Sequence, residues 1–146
     1  MIDAGNFPID NFLQPIIDLK VGRPGRTEFV DVRALIDTGA MRSAISRKIV
    51  EELELLPCGT TEVSSPFESR ASKTLVGARV RFSFNYEFPE VAVIEMTDSD
   101  IRPYEAIIGM DILSAGDLLI TNANDKMILS LRFPAAPERI MFGKEV

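Results

Sequence analysis

The sequence predicts a mainly β domain, a small closed or partly closed barrel carrying one medium helix and one short one. Three observations lead there. Apolar residues come in short stretches, and in 27–36 they alternate at Val30, Val32, Ala34 and Ile36, the period of a strand with one buried face. Turn-forming clusters such as Gly22-Arg23-Pro24-Gly25 and Asn122-Ala123-Asn124-Asp125-Lys126 separate these stretches. Only one segment, 47–55, shows helical spacing over more than two turns. Many short strands bury themselves and hide their edges most readily by closing on one another. At 146 residues the chain is one domain's worth, and such a length buries about two thirds of its unfolded surface. No repeat, low-complexity tract or linker divides it, so 1–146 is read as a single domain.

In order along the chain, 1–13 mixes Gly5, Asn6, Pro8 and Asn11 with scattered apolar residues and is expected to be an irregular lead-in. A strand is expected over 15–21, a turn over 22–25, and a second strand over 27–36 that pairs with the first. Ser46 is placed to cap a helix over 47–55, with Ile49, Val50 and Leu53 on one face and Pro57 ending it. Segments around 60–63 and 74–82 are β-prone and flank a polar middle. Strands over 80–84 and 91–94 are expected to enclose a turn at 85–89. A strand over 104–109 leads to a short helix over 110–116, with Asp111 as its cap and Gly116 as its stop. Residues 118–121 and 127–131 form a hairpin about 122–126, and from Phe133 onward Pro134 and Pro137 break regular structure.

Composition narrows the chemistry. There is no histidine, which removes Ser-His-Asp and Cys-His hydrolases in their usual form, His-ligated zinc proteases and histidine general bases. No Ser-x-x-Lys, phosphate-binding Gly-x-x-x-x-Gly-Lys or Gly-x-Gly-x-x-Gly pattern occurs. Asp98 and Asp100 lack a third acid and a calcium-loop glycine, and read as a solvated turn; no metal or cofactor is expected. The net charge of −6 and the absence of a basic cluster argue against nucleic acid. No apolar run approaches the ~18 residues of a membrane span, and no signal pattern opens the chain. The single cysteine, Cys58, cannot form an intrachain disulfide and is expected as a small buried residue. A soluble, cytoplasmic protein is therefore expected. Carboxylates remain as the groups able to do acid/base work.

One carboxylate stands out. Ala34-Leu35-Ile36-Asp37-Thr38-Gly39-Ala40 delivers Asp37 at the end of a largely apolar strand, where a charged group is costly unless donors surround it or it shares a proton. Thr38 supplies a hydroxyl, and Gly39 a backbone able to bring its N–H close. An Asp-Thr-Gly alone is common in turns, because Asp bonds locally and Gly permits positive φ. Downstream, however, stands Ala106-Ile107-Ile108-Gly109-Met110-Asp111-Ile112-Leu113. The two stretches, in this order, resemble the active-site loop and the bracing hydrophobic-hydrophobic-Gly segment of retropepsin-like, single-lobe aspartic proteases. A two-lobed relative would carry a second Asp-Thr-Gly or Asp-Ser-Gly, and none occurs.

The resemblance implies an acid-protease barrel that forms a twofold homodimer. It implies Asp37 as the catalytic carboxylate, Thr38 holding the paired loops together, Gly39 fixing the carboxylate plane and Ala40 as cleft wall. Ile107, Ile108 and Gly109 would brace the loop from below. By position, the hairpin around 60–82 resembles the flap that closes over substrate, which makes Val63, Pro66 and Phe67 candidates for substrate pockets. The flap tip departs from the glycine-rich retroviral one. The implied partners are a second copy of the chain and a peptide or protein substrate, and the implied activity is endopeptidase. A catalytically silent dimer of the same fold, binding peptide or protein, is the alternative; the intact Asp37, Thr38 and Gly39 favour the enzyme.

Overall fold

The structure, a computed structural model, describes residues 2–10, 14–65, 68–97 and 102–144. In chain order the described elements are β1 (Asp3–Ile9), β2 (Ile16–Gly22), β3 (Phe29–Ile36), β4 (Ala44–Ser46), α1 (Arg47–Glu52), β5 (Pro57–Ser65), β6 (Glu68–Phe82), β7 (Glu87–Met96), β8 (Ala106–Ile108), α2 (Met110–Leu113), β9 (Asp117–Thr121) and β10 (Met127–Phe133). A single 3-10 turn, Ala123–Asp125, links the last two strands.

Six strands close a barrel in the order β2-β3-β8-β4-β7-β6, and β6 returns to β2. The first pair is an antiparallel hairpin with Ile16 opposite Leu35 and Gly22 opposite Phe29. β3 runs parallel to β8, and β4 parallel to β7. Closure comes from the far end of β6, where Phe82 faces Leu19 and Arg79 faces Gly22. Inside, Val32, Ala34 and Ile36 of β3 are buried, while the alternate residues Asp31 and Arg33 are exposed and Leu35 is half-buried. The alternation read from the sequence is therefore the inside and outside of the barrel wall. β5 lies outside the ring and, among the described strands, pairs only with β6.

A second sheet of three strands, β1-β10-β9, stands beside the barrel. Its first strand corrects the irregular lead-in expected over 1–13: Asp3–Ile9 pairs along its whole length with β10, Asp3 opposite Phe133 and Ile9 opposite Met127. The residues that read as breakers suit this position. β1 is an edge strand, so the missing N–H of Pro8 need not cost a ladder bond. Gly5 lets the Phe84 ring approach, since a Cβ there would sit 2.5 Å from its Cδ1. Aromatic rings join the two sheets: Phe133, fully buried, lies 5.1 Å from Phe82, 5.2 Å from Tyr86 and 5.2 Å from Phe88, centroid to centroid.

Other local expectations are refined. α1 is six residues long rather than spanning 47–55. Ser46 caps it by accepting the Ile49 N–H at 3.4 Å. It stops at Leu53 because Glu54 takes a left-handed φ of 51°, which turns the chain so that Leu55 is buried; Pro57 opens β5 instead of ending the helix. The 85–89 turn is narrower, since Phe88 and Pro89 already belong to β7 and Asn85 supplies the positive φ of 66°. Pro89 sits where β7 carries an extra residue, between the Val80–Phe88 and Ala78–Val91 pairs, a bulge where a proline is tolerated. Cys58 is exposed, not buried. Asp98 and Asp100 lie outside the described residues. Among those described, no helix is long and apolar enough to cross a membrane.

Candidate active site

The parallel pairing of β3 with β8 sets the site. Ile36 lies opposite Ile108, and the next amide, Asp37 N–H, donates to the Ile108 carbonyl at 2.9 Å. Asp37 thus begins a loop at the point where the barrel wall ends. Gly39 N–H donates to Asp37 Oδ1 at 2.9 Å, and Ala40 N–H to the Asp37 carbonyl at 3.2 Å. These two bonds close a tight turn and fix one carboxyl oxygen. Asp37 is half-buried, Thr38 and Gly39 are exposed, and Ala40 is half-buried.

Below the loop, β8 is flanked by β3 on one side and β4 on the other, with Ile107 opposite both Leu35 and Ala44. Ile108 is buried. Gly109 is required by contact: a Cβ there would meet the Ala40 carbonyl oxygen at 2.7 Å and the Arg42 carbonyl carbon at 2.9 Å, both backbone atoms that cannot swing aside. Immediately after it, Met110 N–H donates to the Ala40 carbonyl at 2.8 Å and Asp111 N–H to that of Met41 at 3.2 Å. The loop's own carbonyls therefore satisfy the first amides of α2, which otherwise lack partners.

Asp111 is not the side-chain cap expected of it; Gly109 holds that position without a side-chain bond. Instead, the Asp111 carboxylate accepts the Ser43 N–H at Oδ2 (2.9 Å), the Ser43 hydroxyl at Oδ1 (2.7 Å) and the Ile112 N–H at Oδ1 (3.0 Å). Ser43 Oγ in turn accepts the Gly109 N–H at 3.0 Å. Ser43 is 1% exposed, the one buried polar residue among those described. Residue type alone makes it a loop hydroxyl and does not reveal the pair. The available signal is a serine closing the loop and an aspartate two residues after the Ile-Ile-Gly run.

Of the residues singled out, Asp37, Thr38, Gly39 and Ala40 thus share one loop, with Ile107, Ile108 and Gly109 directly under it. Val63 stands on the β5–β6 hairpin, opposite Ala71 and 38% exposed. Pro66 and Phe67 lie outside the described residues. Around the loop, Met41 is 86% and Met110 40% exposed. Beside it, Thr38, Met110, Leu113, Leu118 and Ile140 line an open groove of about 400 Å³.

A half-buried carboxylate thus stands at the end of a barrel strand, pinned by a glycine amide and underpinned by an Ile-Ile-Gly segment. The aspartyl protease family model matches residues 23–112, more than half of the chain, and the chain belongs to that family. No curated protein sequence matches it. Among solved structures it is similar to a retropepsin-like aspartic protease from Rickettsia conorii, at 17% identity over 91% of this chain and 96% of that one, with a TM-score of 0.52. It is similar as well to EIAV protease complexed with the inhibitor HBY-793, at 13% identity over 73% of this chain and 92% of that one, with a TM-score of 0.51. At these identities the likeness is one of fold, and the fold is the retropepsin-like barrel. Family and fold together support an aspartic peptidase activity.

Proposed function

We propose that the protein is an endopeptidase in which two copies of Asp37, one from each subunit of a homodimer, activate water against a peptide bond. The observation that carries this reading is the placement of a single carboxylate on a braced loop at the open end of the barrel, with one oxygen held by Gly39 N–H at 2.9 Å.

Amide hydrolysis needs a base to take the proton of the attacking water and an acid to protonate the carbonyl oxygen. One aspartate cannot fill both roles at once. Two Asp37 carboxyls meeting about a twofold axis come within ~3 Å, where they cannot both stay charged and share one proton. The ionised member then takes the water proton, the protonated member donates to the carbonyl oxygen, and the pair titrates as a unit. Thr38, exposed beside Asp37, holds the two loops to each other. Ala40, Met41 and Met110 give the cleft an apolar wall, and the β5–β6 hairpin with Val63 covers an extended peptide, whose backbone it pairs in β fashion.

The test is Asp37→Asn in an otherwise unchanged chain, assayed on a peptide library at pH 4–6. Loss of hydrolysis by about 10³-fold or more, with the circular dichroism spectrum retained, is the expected result. Retained turnover places the chemistry elsewhere. A wild-type chain that dimerises and binds peptides without cutting any is instead the silent dimer.

A further inference from the structure

We propose that Asp111 is a positioning residue for the Asp37 carboxyl, acting through Ser43 without touching the reacting atoms. Its kinetic consequence rests on the peptidase reading above; its structural consequence does not.

The loop from Asp37 to Ser43 is tied at both ends to one short segment. At its start, Asp37 N–H is held by the Ile108 carbonyl; in its middle, the Ala40 and Met41 carbonyls take the Met110 and Asp111 amides. At its far end the anchor is the Asp111 side chain, which takes both the amide and the hydroxyl of Ser43. An ionised carboxylate is an acceptor only, so the Ser43 hydroxyl hydrogen points at Asp111. That leaves the Oγ lone pairs to receive the Gly109 N–H at 3.0 Å. One charge therefore orders a chain from Gly109 N–H through Ser43 to Asp111 and fastens the loop's exit to the brace. Gly39, whose amide sets the Asp37 carboxyl, lies between the two fastened ends.

Burial decides the effect of removing that charge. Ser43 is buried, so water does not readily replace a lost acceptor, and an unsatisfied buried N–H is costly. Asp111 itself is exposed, so changing it opens no core cavity. An asparagine offers one acceptor oxygen in place of two: it keeps the Ser43 amide but turns N–H groups toward Ser43 Oγ, where they compete with Gly109. Alanine removes the anchor outright. The loop's exit is then free to drift, and with it the hydrogen bond that orients Asp37.

The experiment compares wild type, Asp111→Asn and Asp111→Ala as whole chains. By ¹H–¹⁵N NMR, the Gly39 amide shift is followed across the titration of Asp37, with Asp37→Asn as the blank. In wild type that amide follows the carboxyl. In Asp111→Ala its pH-dependent shift falls by about half or more, and Asp111→Asn lies between. In parallel, kcat on a peptide substrate falls about 10- to 100-fold in Asp111→Ala, while KM stays within about twofold, the mark of a misplaced group rather than a lost binding contact. A folded variant whose Gly39 amide titrates as in wild type overturns the proposal, as does an unchanged kcat. Should Asp111→Ala not fold, the milder Asp111→Asn carries the same comparison. If hydrolysis is absent from wild type or survives Asp37→Asn, it is the peptidase reading that fails, and the Gly39 titration still decides the role of Asp111.

Discussion

Asp117 shows how a single carboxylate can tie the end of the chain to the second sheet. Its Oδ2 accepts the Ala136 N–H at 2.9 Å and the Arg132 guanidinium at 2.6 Å. The Ala136 backbone bond first, then the Arg132 hydrogen bond, lower its pKa from the ordinary carboxylate value; burial pushes the other way, and the Arg132 charge adds a smaller lowering. A carboxyl whose folded value is depressed lends stability that is fully present above its unfolded pKa of about 4 and is lost as the pH falls below that toward the folded value. Asp117→Asn should therefore lower the melting temperature at pH 7 and lower it by less as the pH falls below about 4, a convergence that thermal scans across pH would show. A constant gap between the two proteins at every pH would contradict it. Legibility at this scale follows sequence distance. The turn at Asp37-Thr38-Gly39 is made by residues two and three apart, so its hydrogen bonds can be anticipated from residue type. Ser43 and Asp111 are 68 residues apart, and the pairing of β8 with both β3 and β4 brings them together, so the residue types near each do not by themselves show the bond.

Among the elements, β6 is the one with two roles. Residues 75–81 pair with β7, and 79–82 also face β2 in the wall, but Ala71 to Thr74 pair with β5 alone. The β5–β6 hairpin beyond Leu75 is thus a two-stranded ribbon, an arrangement that is marginally stable without a third layer. Backbone amides of 60–63 and 71–74 should exchange with deuterium at least about tenfold faster than those of 76–82, measured by mass spectrometry or NMR at neutral pH. Equal protection along β6 would show the ribbon to be covered. The hairpin itself is readable from two β-prone segments about a polar middle. The lengths of the helices are not. α1 ends at Glu54 through a left-handed residue, and glutamate gives no hint of that conformation, whereas the Pro57 that reads as the stop only opens the next strand.

At the scale of the whole molecule, two sheets are joined by rings. Phe133 reaches Phe82, Phe88 and Tyr86 at 5.1–5.2 Å, so Phe133→Ala should cost about 3–5 kcal/mol and show as a lower midpoint in urea. A loss below about 1 kcal/mol would mean that the second sheet is not held through this cluster. If the proposed dimer is the active unit, specific activity should fall on dilution together with the dimer fraction measured by sedimentation, and turnover independent of concentration in a monomer would exclude it. Mainly β character is legible because period and punctuation are local, whereas closure of the wall, made by β6 meeting β2, is anticipated only through the family resemblance. The β1–β10 pairing is not legible, because Gly5 and Pro8 look like breakers until an aromatic ring and a free strand edge are seen to accommodate them. One consequence lies in β6. If the β5–β6 hairpin covers a bound peptide as proposed, a stave that continues outward as an arm makes the wall and the cover one piece of material, and the load of gripping a guest is carried down the same backbone to the seam where Phe82 meets Leu19. Stiffening that seam would stiffen the grip.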